Sequence, residues 1–415
     1  PSTLIDDVSD WVPEVKPIPI ARYTSADFAQ AEVEKMWLKV WQYACWAGDI
    51  PNPGDISVYR NVGQSVIVVR QRDGSIKAFR NSCLHRGREL CGNDTHQKNL
   101  RCPYHAFTWG LGGDLQWIPA QWDFPQIERA KFSLPEVQVE EWNGFVFVNF
   151  DKDAAPLDQY LGRMVDQWKD WDFGSRYRSV TVVRRLNCNW KAALDAFIET
   201  LHVYASHPEA ATLTSDTATQ YDMYPDQPHF SRFHSIVGFA SANLDPRPSE
   251  QEILDSYTSV YLPEVFGTPE GDLSEGETAR QALRRLAIDV YRDRMGLDVS
   301  DVPNSELIDG TEYSIFPNFL IWPSTSNPLV YRFRPGVTPD ECIWEISLYL
   351  RFEGERPEPG PVIDVAPGQS MADIPELGYV GPILQQDCEN LEFIQNGMKA
   401  SGSGVLNLSR YQEAR

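Results

Sequence analysis

The chain has 415 residues, 42% hydrophobic and 23% charged. That suits two or three globular domains and rules out a disordered polymer. Its formal charge of −22 argues against a global nucleic-acid binder, because phosphate neutralisation dominates that affinity. With a mean hydropathy of −0.39 and no uninterrupted apolar run near the ~18 residues of a membrane span, no membrane partner is expected.

Residues 1–40 read as an N-terminal arm and one helix. Thr24 or Ser25 caps it, and Phe28, Val33, Met36, Trp37 and Val40 recur at helical spacing. Residues 41–150 then read as a small antiparallel β domain. Ser65–Arg70 and Ile76–Phe79 flank Asp73-Gly74, a hairpin signal, and Gly144–Phe150 reads as a buried strand. Residues 151–178 are polar, with a helical pattern from Leu157 to Trp171, and are expected to be a linker. Residues 179–415 form the second domain. Strands are expected at Ser179–Leu186, His229–Gly238, Tyr313–Trp322, Leu329–Phe333 and Cys342–Phe352. Helices are expected from Trp190 (Asn189 as cap), at Glu250–Leu262 (Ser249 as cap), at Glu277–Met295 and at about Gly381–Ala400. Helices segregated from an antiparallel sheet make the class α+β. Seven scattered cysteines suit reduced thiols and a cytoplasmic location, and the N-terminus shows no signal-peptide pattern.

Two short loops each carry one Cys and one His. Cys83-Leu-His85 is followed, after sixteen residues, by Cys102-Pro-Tyr-His105. One tetrahedral zinc could take two Cys and two His, though zinc fingers usually group like with like. One of each per loop suits a [2Fe–2S] cluster whose two irons take Cys₂ and His₂, the Rieske arrangement. Cys91, between the pairs, reads as a structural thiol, and Gly110, Gly112 and Gly113 as a hairpin turn.

A second constellation starts at Asn189-Trp-Lys191. On one continuous helix Asp195, Glu199 and His202 share a face, with Trp190, Leu194, Phe197 and Leu201 on the core face. His207 stands about 140° round from His202, so both imidazoles meet one metal only if the helix breaks; Pro208 disfavours helical geometry at His207. An iron oxygenase site needs two His and one carboxylate with positions left open. Asp387 sits in an apolar stripe of Ile383, Leu384, Leu391, Ile394 and Met398, where a lone carboxylate is costly unless paired or metal-bound. Glu389 and Glu392 read as solvent-facing. Ala196, Thr200, Val203 and Ile383 are placed to line a pocket, with Tyr221, Met223, Phe230 and Phe233 as weaker candidates. His96, His229 and His234 read as structural.

Asn81-Ser-Cys-Leu-His-Arg-Gly87, Arg101-Cys-Pro-Tyr-His105 and the Glu199-x-x-His202-x-x-x-x-His207 run resemble the motifs of Rieske non-haem iron oxygenases, in their large (α) component. The resemblance implies that Cys83, His85, Cys102 and His105 hold a [2Fe–2S] cluster. It implies that His202, His207 and Asp387 hold a mononuclear Fe(II) that uses O₂. Glu199 falls where the family carries an acidic residue, usually Asp, linking the iron to a neighbouring subunit's cluster through His105. Ala106-Phe107 replaces the family's usual Gly-Trp, which leaves ligation untouched but changes the packing around the cluster. The implied partners are a ferredoxin or reductase and a homotrimer, alone or with a small β subunit. The implied activity is hydroxylation, as cis-dihydroxylation, of an aromatic or hydrophobic organic substrate. Alternatives are a Rieske monooxygenase or demethylase on the same scaffold, and a pure Rieske electron carrier, which would leave the second domain unexplained.

Overall fold

The computed structural model describes residues 11, 13–168, 173–260, 272–323, 328–352 and 354–415. The expected ends of two helical stretches, at 169–171 and 261–262, lie outside the described residues.

The first region is a seven-stranded antiparallel sheet. Its order is Gln42–Trp46, Phe145–Asn149, Glu136–Trp142, Ile76–Arg80, Gln64–Arg70, Asp55–Asn61 and Thr95–His96. The Asp73-Gly74 hairpin forms as read: Gly74 has φ +86, and Asp73 Oδ1 accepts from Ser75 N at 3.0 Å. The strand Glu136–Trp142 was not foreseen, because its exposed face is charged. A three-stranded sheet of Leu100–Arg101, Thr108–Trp109 and Leu115–Trp117 sits on this domain, with the glycine-rich turn closing its last hairpin.

The second region is an eight-stranded sheet in the order Gln220–Met223, Phe230–Ser235, Gly310–Ile315, Phe319–Trp322, Leu329–Pro335, Cys342–Arg351, Arg176–Leu186 and Val362–Asp364. All its pairings are antiparallel except the last. The expected single strand Tyr313–Trp322 is a hairpin, turned at Phe316-Pro317. Helices Ala279–Met295, with a Thr278/Gln281 capping box, and Val380–Ala400 pack around this sheet.

Leu157, Leu161, Met164, Trp168 and Phe173 are buried in one apolar cluster with Trp41, Phe145, Tyr313 and Tyr349, which joins the two sheets. A buried charge network adds to the joint. Glu345 takes Arg332 and Arg334, whose guanidiniums also donate to the carbonyls of Ala44 and Arg60 in the first sheet. The N-terminal helix runs Ala26–Glu32, with Ser25 Oγ accepting from Phe28 N. It then widens into a turn over Val33–Trp37 in which Leu38 N reaches Val33 O.

Candidate functional site: two metal centres and a cavity

The two Cys/His loops meet at one end of the first domain. Cys83 and Cys102 are buried and face each other. The His85 and His105 rings lie 4.8 Å apart at 70°. Each loop closes on itself. Gly87 N donates to Cys83 O and Ala106 N to Cys102 O, with Gly87 at φ +75 and Ala106 at φ +62. Ala106 thus holds the left-handed conformation that glycine adopts at less cost. Phe107 fills the neighbouring space by stacking on His85, 4.6 Å away at 14°.

His85 Nδ1 is buried with no hydrogen-bond partner. A buried ring nitrogen left unpaired costs free energy, so it suits the role of a metal ligand. The four donor atoms do not converge on one point. Among the described residues, only one group of three or more His, Cys, Asp or Glu has its ligand atoms all within 4.8 Å of one another, and these four are not it. Donors spread this way suit a two-iron cluster better than a single tetrahedral zinc.

That one convergent group is His202, His207 and Asp387. The long helix expected from Trp190 does not form. It stops at Asp195, turns irregularly to His202, resumes over Val203–Ser206 and breaks again at His207 (φ −128, ψ 66) before Pro208–Ala211. The pairing of Glu199 with His202 is therefore made in a turn, not along a helix face. Leu201, expected in the core, is 39% exposed. Asp195 turns away from this site and accepts from Tyr23 Oη at 2.8 Å.

The double break brings both imidazoles to the buried Asp387 carboxylate. Its Oδ1 lies 3.0 Å from His207 Nε2 and 3.6 Å from His202 Nε2. The other ring nitrogens are engaged: His202 Nδ1 lies 2.6 Å from Glu199 Oε1, and His207 Nδ1 2.6 Å from Gln386 Oε1. Both partners offer acceptor oxygens, so a proton on each Nδ1 would leave each Nε2 to face a metal beside Asp387. Gln386 is fixed in turn by Glu209, to which its amide donates at 2.9 Å. Its role was not legible in the sequence; adjacency to Asp387 is the only signal.

Asp387 lies on the buried face of Val380–Ala400 with Leu384, Cys388, Leu391, Gln395 and Met398. Ile394, read as part of that stripe, is 46% exposed, and Gln395 takes its place. Glu389 and Glu392 face solvent as read.

Beside this triad opens a cavity of about 320 Å³. Ala196, Thr200, Val203 and Ile383 all line it, as does Phe233; Tyr221, Met223 and Phe230 are buried and absent from the lining. Among the described lining residues none is Lys or Arg. The walls include Tyr257, Tyr291, Trp322, Tyr331 and Tyr379, with the carboxylates Glu306 and Asp309. Asp309 is held by Arg280 at 2.5 and 2.7 Å. The remaining histidines are packed or bonded elsewhere: His96 to Asp55, His229 against Tyr160, and His234 to Thr311.

Comparison with known proteins agrees with this layout. A family model described as the Rieske [2Fe-2S] domain matches residues 40–128, and one described as the ring hydroxylating alpha subunit (catalytic domain) matches 169–415. The carnitine monooxygenase oxygenase subunit of Acinetobacter pittii is 28% identical over 262 residues, 60% of this chain and 67% of that protein. The chlorobenzene dioxygenase subunit alpha of a Cupriavidus species is 33% identical over 183 residues, 42% of this chain and 40% of that one. Among solved structures, a quaternary ammonium Rieske monooxygenase superposes with TM-score 0.68 at 19% identity, covering 100% of this chain and 95% of that one. Naphthalene 1,2-dioxygenase superposes with TM-score 0.60 at 20% identity, covering 97% and 84%. Among the described residues no helix is long and apolar enough to cross a membrane. The chain belongs to the Rieske oxygenase alpha subunits, oxidoreductases that carry a [2Fe–2S] Rieske cluster and a mononuclear iron working with O₂.

Proposed function

We propose that this chain is a terminal oxygenase that hydroxylates a small organic molecule with an apolar body and no negative charge. In this reading His202, His207 and Asp387 hold the iron, and Cys83, His85, Cys102 and His105 hold the cluster. The observation that carries it is the convergence of two Nε2 atoms and one carboxylate at the wall of an aromatic-lined cavity. When bound, the cluster supplies electrons singly and the iron activates O₂.

The chain's own residues orient and exclude. Glu199 and Gln386 hold the two imidazole tautomers that leave Nε2 open. The apolar walls keep water out and place the substrate beside the triad. Glu199 is also the group suited to join His202 to the His105 imidazole of a neighbouring copy. Exposed apolar side chains at both rims support such an association: Tyr104 beside His105, and Leu201 and Tyr204 beside Glu199. A trimer, with or without a β subunit, a separate ferredoxin or reductase, a cytoplasmic location and a division near residues 151–178 complete the reading.

Two substrate classes suit the cavity. An uncharged aromatic compound fits its rings, and dihydroxylation is then the expected chemistry. An alkylated amine is the second class, with monooxygenation or demethylation as the chemistry. It is favoured by the absence of Lys and Arg from the described lining and by the presence of Glu306 among tyrosines, since ring faces and carboxylates both attract cations. The similarity to carnitine monooxygenases points the same way. Reconstituted turnover under ¹⁸O₂ separates the classes, using panels of aromatic hydrocarbons, N-methylated amines and aromatic carboxylates. Products from either of the first two panels support the reading. Exclusive turnover of carboxylates would contradict it.

A further inference from the structure

The turn that carries Glu199 and His202 is held open by a side chain far away in sequence. In a regular helix the carbonyl of Ile198 would accept from His202 N. Here His202 N turns to Glu199 Oε2 at 3.2 Å, and Ile198 O instead accepts from Arg415 Nη1 at 3.0 Å. Thr200 N, which would have reached Ala196, donates to Tyr221 Oη at 3.0 Å. Ile198 O and Thr200 N, both freed by the break, thus find partners outside the segment, as a buried, non-helical turn requires.

The Arg415 guanidinium is buried for this purpose. Its side chain is 1% exposed and lies 2.7 Å from Glu312 Oε2, itself 0% exposed on the sheet strand Gly310–Ile315. The same Nη1 that donates to Ile198 O thus also forms the close charge pair with Glu312. Arg415 Nε donates to Ser231 Oγ at 3.0 Å, and the guanidinium lies over the Phe233 ring at 5.3 Å. Phe233 lines the cavity. The sheet therefore reaches through Arg415 to the break in the iron-side segment. Burial raises the Glu312 carboxyl to about 7, with Arg415 opposing, which marks how dry this junction is.

We infer that Arg415, anchored by Glu312, is a positioning residue for the mononuclear site: by capping the Ile198 carbonyl it keeps the segment unwound, so that His202 and His207 face Asp387 together. The inference rests on the proposed ligand set. If Arg415 is lost, Ile198 O is free to take His202 N back, which winds His202 out of register with His207.

The test is an anaerobic Fe(II) titration of cluster-replete protein against a competing chelator. The double variant Arg415→Met/Glu312→Gln removes both charges and strands neither. It is expected to keep the cluster spectrum and to bind Fe(II) roughly tenfold more weakly, the low end of what loss of outer support does to metal sites. Arg415→Lys keeps the charge but not the fork that reaches Ile198, Ser231 and Glu312 at once, and is expected to recover part of that loss. A merely structural role would lower the melting temperature and leave Fe(II) affinity of the folded protein unchanged. Affinity within twofold of wild type in the double variant, or in Arg415→Lys should the double variant not fold, overturns the inference. Failure of wild type itself to take up Fe(II) beyond its cluster would overturn the ligand set instead.

Discussion

Glu199→Gln is the most searching single substitution. Three donors converge on this carboxylate: His202 Nδ1 at 2.6 Å, His202 N at 3.2 Å and Leu201 N. An amide offers one oxygen and one NH₂. Whichever way it sits, a donor faces a donor, either at the imidazole or at the backbone pair. Each donor left unpaired costs about 1–3 kcal/mol, and the charge-assisted bonds lost are worth about 1.5–3 kcal/mol each. The imidazole has one escape. It can accept at Nδ1 and move its proton to Nε2, the nitrogen 3.6 Å from Asp387 Oδ1, but a protonated Nε2 cannot bind metal. The expected outcome is a ten- to hundredfold loss of Fe(II) affinity, or about 1.4–2.7 kcal/mol, with the cluster spectrum intact. With iron forced in by excess, reoxidation of the reduced cluster by O₂ in the presence of substrate should remain slow in stopped flow. Glu199→Asp keeps both acceptors on a shorter arm and should be milder. Wild-type Fe(II) affinity together with wild-type reoxidation in Glu199→Gln would refute both roles given to this residue.

Other outcomes follow from the same geometry. His207→Ala and Asp387→Ala should each reduce iron from about three to about two per chain while leaving the red-brown cluster, and metal analysis with the visible spectrum checks both. Cys102→Ala should prevent cluster assembly; a colourless wild-type protein holding stoichiometric zinc would end the cluster assignment. Ala106→Gly relieves a left-handed alanine at φ +62 and should raise stability by up to about 1 kcal/mol in denaturant titration, with the cluster potential little changed. Glu345 is the acid-sensitive joint: burial would raise its carboxyl, but Arg332 and Arg334 hold it at about 2 against an ordinary 4.5. Its contribution, about 3 kcal/mol, is present above pH 4.5 and lost as pH falls through about 2. Glu345→Gln should therefore destabilise by about 3 kcal/mol at pH 7 and flatten the wild type's loss of stability in acid; equal acid sensitivity in the two proteins would count against the network.

The sequence by itself determined the chemistry and most local structure. A Cys and a His two or three residues apart on one loop must be near each other in any fold, so the cluster donors were readable without coordinates. The Asp-Gly hairpin and the Ser25 and Ser249 caps depend on neighbours within four residues and were readable for the same reason; the Thr278 cap was not read, because the helix was started at Glu277. What only the tertiary structure decided is how distant segments satisfy one another. Periodicity drew one helix from Trp190, with Pro208 pointing to a break at His207, where the chain does break. The chain also breaks it after Asp195, where Tyr221 accepts from Thr200 N and Arg415 donates to Ile198 O in place of the bonds the helix would have made. Helical spacing likewise placed Ile394 inside, where packing against Asn189 and Asp340 selects Gln395. A hydrophobic pattern records which side of an element avoids water. It carries no record of which distant polar group completes a broken turn, and here that completion places His202, His207 and Asp387 around one point.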